Sequence, residues 1–103
     1  MNIEDLRKKI DQLDERLVEL LNERANCAQE IGKIKQGLKM PIYEPRREES
    51  VFANVRRCNR GPLPDGELIQ VYERIIDVMR KIQREEISPE ERLKGVSGTE
   101  END

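Results

Sequence analysis

Ile3, Leu6, Ile10, Leu13, Leu17 and Leu20 recur at alternating intervals of three and four residues, and the pattern resumes at Cys27, Ile31, Ile34 and Leu38. This is the heptad spacing of a helix with a narrow apolar seam. It predicts one helix from about Ile3 to about Lys39. Asn2 is placed to cap it, and Asp5 in the first turn favours the positive end of the helix dipole. Gly32 and Gly37 weaken its later part, and Gly37 is where it would end or fray.

Such a helix is roughly 55 Å long at 1.5 Å per residue. A compact domain of a hundred residues has a radius of gyration near 13 Å, so the helix is about twice as long as that domain is wide. The rest of the 103-residue chain cannot cover it. One way out is a kink that folds the helix back at Gly32; the other is a second copy of the chain, with long helices running side by side. Composition favours the second. Charged residues make up 40% and hydrophobic ones 35%, with one Phe, two Tyr and no Trp. A core from so little apolar material is marginal in one chain of this size.

Net charge is −3 with both signs interspersed, which argues against a non-specific nucleic-acid binder, since that needs a basic stripe and stacking aromatics. No apolar run approaches the ~20 residues of a membrane span. The start, MNIEDLRKK, lacks the pattern of a signal peptide. Cys27 and Cys58 are read as reduced thiols of a cytoplasmic protein. The absence of His excludes Cys–His or Ser–His nucleophile pairs within the chain, and zinc sites that use His.

Met40-Pro41-Ile42-Tyr43-Glu44-Pro45 reads as a connector, with Tyr43 or Glu44 in cap position and Pro45 in the first turn of a second helix. That helix is expected from about Pro45 to Cys58, with Val51 and Val55 on one face. Asn59-Arg60-Gly61-Pro62 is a stop signal, with Gly61 in the left-handed position after the helix and Pro62 behind it. A third helix is expected from about Gly66 to Glu86, capped by Asp65. Its apolar face is Leu68, Val71, Tyr72, Ile75, Val78, Met79 and Ile82. From Ser88 the chain is polar and expected to be disordered. The fold class is all-α: a helical domain over residues 1–87 and a polar tail over 88–103.

The chemistry lies in the seam's irregularity. Continuing the spacing from Leu20 lands on Arg24 before Cys27 resumes it, so a cation stands where a leucine belongs. Eleven residues on, Lys35 lies about 20° from the same angular position and about 16 Å along the axis. A buried unpaired cation costs several kcal/mol, so something negative must face it. That something is either an internal ion pair that sets register or a small di-anion held between the two side chains, Arg by two parallel hydrogen bonds and Lys as a point charge. Lys35 alone reads as a solvated surface residue. Arg7 lies roughly 25 Å before Arg24 and about 100° around the helix. It serves either a partner chain's pocket or a local ion pair. Arg47-Glu48 near the start of the second helix, and Gln83 one position after Ile82, mean little singly.

Taken together, these residues resemble the all-α (type II) chorismate mutases. The matching text is Leu6-Arg7-Lys8-Lys9-Ile10-Asp11 with Leu13-Asp14 and Leu17, then Leu20-Leu21-Asn22-Glu23-Arg24, Ala28 and Ile31-Gly32-Lys33-Ile34-Lys35. It continues through Pro41-Ile42-Tyr43-Glu44-Pro45-Arg46-Arg47-Glu48, Asn59-Arg60-Gly61-Pro62-Leu63, and Ile75-Ile76 to Arg80 and Gln83. The order and spacing of these pieces are specific, and they cover about residues 3 to 85.

The resemblance implies an intertwined homodimer of three-helix chains with two shared active sites. It implies the rearrangement of chorismate to prephenate on the route to phenylalanine and tyrosine, with no cofactor and no metal. By position, Arg24 resembles the arginine that binds one substrate carboxylate, and Arg7 the one delivered from the other chain to the second. Lys35 and Gln83 resemble the pair that reaches the ether oxygen. Glu48 resembles the carboxylate that takes the ring hydroxyl, and Glu44 and Arg47 match supporting positions around it. One departure is Met79, which stands where the family usually carries a small Ser or Cys. The competing readings are an isochorismate-pyruvate lyase on the same fold, and a non-catalytic coiled-coil module in which Arg24 sets register.

Overall fold

The computed structural model describes residues 1–84. The chain forms three helices: α1 (Ile3–Leu38), α2 (Pro45–Cys58) and α3 (Asp65–Gln83). The tail expected to be disordered, and the last two residues expected for the third helix, lie outside the described residues.

Helix α1 runs 36 residues without a break, so the kink at Gly32 is not taken. Asn2 caps it, its Oδ1 accepting the Asp5 amide at 2.9 Å. Helicity passes through Gly37 and ends one residue later. Lys39 takes the left-handed conformation (φ 56°, ψ 35°), and its N–H reaches the Gln36 and Lys35 carbonyls. The result is elongated, 54 × 36 × 18 Å. No helix among the described residues is long and apolar enough to cross a membrane.

Helix α3 packs along α1 and also carries α2. The face of α1 that meets α3 is not the heptad seam. Ala28, Gly32 and Lys35 are its buried residues, and with Arg24 they span about 80° of arc beside the seam. Gly32 is there because α3 comes too close for anything larger. A Cβ on it would stand 2.5 Å from the Gln83 carbonyl oxygen and 2.8 Å from Gln83 Cα.

The seam itself is uncovered in one chain: Ile3, Leu6, Ile10, Leu13, Leu17, Leu20, Ile31, Ile34 and Leu38 are each between 45% and 66% exposed. Burying one Leu or Ile is worth about 1.5–3 kcal/mol. A stripe this long is more apolar surface than a monomer normally leaves in water.

The corner between α2 and α3 differs from expectation in three ways. Gly61 is left-handed (φ 73°), but it does not directly follow the end of α2. Asn59 ends that helix in an extended conformation. Its amide donates to the Leu63 carbonyl and to Asp65 Oδ1 at 2.8 and 2.7 Å, while its Oδ1 accepts the Gly61 N–H. Asp65 is therefore the first residue of α3 rather than its cap, which is Pro64. Its carboxylate is held by Asn59 instead of the helix's own amides. The apolar face of α3 is also rotated: Ile76 is buried with Met79, whereas Val71 is 54% exposed.

Candidate active site

The connector and the three helices enclose a cleft of about 390 Å³, with Arg24, Ala28, Ile31 and Lys35 on the α1 wall and Ile76, Met79, Arg80 and Gln83 on the α3 wall. Ile42 and Glu44 of the connector and Arg47, Glu48 and Val51 of α2 close the third side.

Lys35 lies at its base, 4% exposed and the one buried charged residue among those described. Its ammonium is fully partnered. Nζ donates to the Ile42 carbonyl and to Gln83 Oε1, each at 2.8 Å, and stands 2.8 Å from Glu44 Oε1. Three protons meet three acceptors, which is what a buried ammonium requires. Since Gln83 Oε1 accepts from Lys35, its amide nitrogen remains available as a donor. Glu44 occupies the N-cap of α2 without capping it, because its carboxylate is turned to Lys35.

A second cluster sits across the cleft. Arg80 grips both oxygens of Glu48, Nε to Oε2 at 2.7 Å and Nη2 to Oε1 at 3.3 Å. Its Nη1 reaches Asp77 at 3.1 Å, and its guanidinium lies 5.4 Å from the Tyr43 ring centroid. The Glu48 hydrogen bond, joined by the charges of Glu48 and Asp77, raises the Arg80 pKa above its ordinary value against the opposing effect of burial. Its charge therefore persists throughout the usable pH range.

Arg24 and Arg47 differ from these two. Both line the cleft, and neither has a carboxylate within ion-pair distance among the described residues. Arg47 touches Ser50 Oγ at 3.2 Å on the rim. The lining thus holds four cations, Arg24, Lys35, Arg47 and Arg80, against the two carboxylates of Glu44 and Glu48. A surplus of two positive charges faces the opening. Asp77, behind the lining, binds the outer edge of Arg80.

Six of the seven candidate residues, Arg24, Lys35, Glu44, Arg47, Glu48 and Gln83, thus meet in one cleft. Arg7 does not. It is exposed near the far end of α1 and pairs with Glu4 at 3.4 Å. The weight given to the two α1 cations reverses. Arg24, the seam anomaly, is only half-buried, while Lys35, which reads as a solvated lysine, is the buried one. Met79, 6% exposed, forms part of the cleft wall. Sequence reasoning gave Arg80 no role. Its signal was its placement on one helical face with Ile76 and Gln83, which a single arginine on a charged helix does not advertise.

The family model described as chorismate mutase type II matches residues 6–84, a span that contains the cleft and Arg7. The chain belongs to the type II chorismate mutase family. It is similar to the bifunctional chorismate mutase/prephenate dehydratase of Aquifex aeolicus, 37% identical in an alignment that covers 80% of this chain and 24% of that protein. It is also similar to the chorismate mutase of Methanocaldococcus jannaschii, 28% identical over 79% of this chain and 83% of the relative. Among solved structures, chorismate mutase (form II) of Thermus thermophilus superposes with a TM-score of 0.78 at 33% identity, over 80% of this chain and 93% of that one. The chain spans about a quarter of the length of the bifunctional relatives it matches.

Proposed function

We propose that the chain is a chorismate mutase, converting chorismate to prephenate by a cofactor-free [3,3] rearrangement. The observation that carries this reading is the cleft's two surplus cations beside a preorganised Lys35–Gln83 pair, in a chain of this family. The substrate is a dicarboxylate, and the surplus matches its charge.

The reaction is concerted and unimolecular, so it asks for no nucleophile or general base. It asks the protein to hold the compact diaxial conformer and to stabilise negative charge growing on the ether oxygen. Arg24 grips one carboxylate through its fork of donors. Lys35 Nζ and the Gln83 amide nitrogen converge on the ether oxygen, and such a donor is worth about 3–4 kcal/mol. Glu48 accepts the ring hydroxyl through lone pairs that Arg80 leaves open, with Glu44 and Arg47 in supporting places. Within the chain all three Lys35 protons are engaged. Glu44, the half-exposed acceptor (39%), is the one that yields to substrate.

The second carboxylate is met by Arg7 of a second copy. The exposed α1 seam supports an intertwined homodimer with shared sites, since antiparallel or crossed pairing would bring one chain's Arg7 toward the other's Arg24. The working domain is residues 1–87, with 88–103 as a tail, in a cytoplasmic protein. The purified chain, given chorismate without added cofactor, is expected to form prephenate. Release of pyruvate from isochorismate without prephenate from chorismate would assign it to the lyase instead.

A further inference from the structure

Helix α2 carries Glu48 yet has no fully buried residue. It packs on α3, and no close backbone approach ties it to α1, where Lys35 lies. Val51, Phe52 and Val55 are only half-buried. Apolar contact of that kind limits how far α2 can drift without fixing its rotation or its position along α3. The N-cap residue Glu44 does reach Lys35 at 2.8 Å, but that half-exposed contact is the one that yields to substrate, so the placement of Glu48 one turn further on needs a second tie.

Helix α3 is the body that both groups touch. Gln83 holds Lys35 at 2.8 Å, and three residues earlier Arg80 holds Glu48. A guanidinium bound to both oxygens of a carboxylate fixes orientation as well as distance. Arg80 is itself fixed, by Asp77 on its own helix and by the Tyr43 ring.

We propose that Arg80 is a positioning residue, whose two-point grip on Glu48 registers α2 against the Lys35–Gln83 pair. Its catalytic consequence rests on the mutase reading of the cleft; its structural consequence does not. Arg80 acts through Glu48, so its loss matters only while Glu48 is there to be placed.

The test is a cycle of four variants in the full chain, Arg80→Gln, Arg80→Lys, Glu48→Gln and the Arg80→Gln/Glu48→Gln double, with prephenate kinetics and backbone hydrogen exchange on each. Arg80→Gln is expected to lower kcat/KM about ten- to a hundred-fold, the scale of a misplaced group. Arg80→Lys, which keeps charge but loses the fork, recovers part of that. The double variant is expected to be no worse than Glu48→Gln alone. Full activity in Arg80→Gln or Arg80→Lys, or a double-variant loss equal to the product of the single losses, would overturn the proposal. Amide exchange across α2 is expected to quicken at least ten-fold in Arg80→Gln, with residues 28–38 of α1 unchanged. Unchanged α2 exchange also overturns it. A parent chain that makes no prephenate, with α2 exchange still quickened in Arg80→Gln, counts against the mutase reading alone.

Discussion

Lys35 Nζ and Gln83 Oε1 stand 2.8 Å apart although 48 residues separate them in sequence. What makes the approach possible is a missing side chain. Gly32, one helical turn before Lys35, lets the end of α3 come so near that an added Cβ would lie 2.5 Å from the Gln83 carbonyl.

Gly32→Ala therefore sets helix propensity against packing. Alanine is the better helix former by about 1 kcal/mol, but the atoms it meets are backbone and cannot turn aside. The helices must separate, and overpacking of this kind costs about 1–3 kcal/mol. A lower melting temperature is expected, together with reduced turnover because Gln83 moves. Gly37→Ala is the control: nothing lies within 4 Å of its added Cβ, and it should stabilise by about 0.5–1 kcal/mol. Thermal melts of the two variants should shift in opposite directions.

Lys35→Ala removes a buried cation and strands its acceptors. Glu44 is half-exposed and can return to water, whereas the Ile42 carbonyl and Gln83 Oε1 lose a charged donor. A buried group left unsatisfied costs about 1–3 kcal/mol, so the variant should melt at lower temperature while remaining helical by circular dichroism. Turnover is expected to fall at least about a hundred-fold, the loss typical of one oxyanion donor.

Arg24→Ala should behave differently, because Arg24 has no internal ion pair to lose among the described residues. Stability is expected to stay within about 0.5 kcal/mol of the parent. Substrate binding should weaken about ten- to a hundred-fold, the worth of a charged two-point grip on a carboxylate. If Arg24 instead served as a register position in a non-catalytic coiled coil, Arg24→Leu would raise stability and there would be no turnover to lose. Melting curves and kinetics on the two variants separate these outcomes.

The long helix was legible because heptad spacing is a local signal, and it held for the whole of α1. The seam's apolar residues are exposed in one chain, as expected of a stripe too long for the rest of the chain to cover. What the spacing could not reveal is that α1 uses a different face for its own chain. Gly32 reads as a weak helix former until α3 is seen beside it, and Lys35 reads as a surface lysine until three acceptors from distant segments are seen around it. Arg80 went unassigned for the same reason. Its partner Glu48 lies 32 residues away, a pairing set by how α2 lies on α3. The same holds for Asp65, whose nearest sequence role is a helix cap but whose carboxylate is taken by Asn59.

Arg7 supplies the sharpest test of the assembly. In its own chain it lies about 25 Å from Arg24 along a straight helix, and its contact is Glu4 on the surface. If it completes the second copy's cleft, Arg7→Ala and Lys35→Ala damage different parts of each site. Every site in either homodimer is then defective. In a heterodimer, one of the two sites receives both an intact Lys35 from its own chain and an intact Arg7 from the other. Mixing the two inactive variants and allowing subunit exchange should therefore restore up to about a quarter of parental activity, since random pairing makes half the dimers mixed and each has one good site. Native mass spectrometry checks that exchange has occurred. Exchange without recovery would remove Arg7 from the site. A chain that stays monomeric would go further and leave the exposed α1 seam unexplained by self-association.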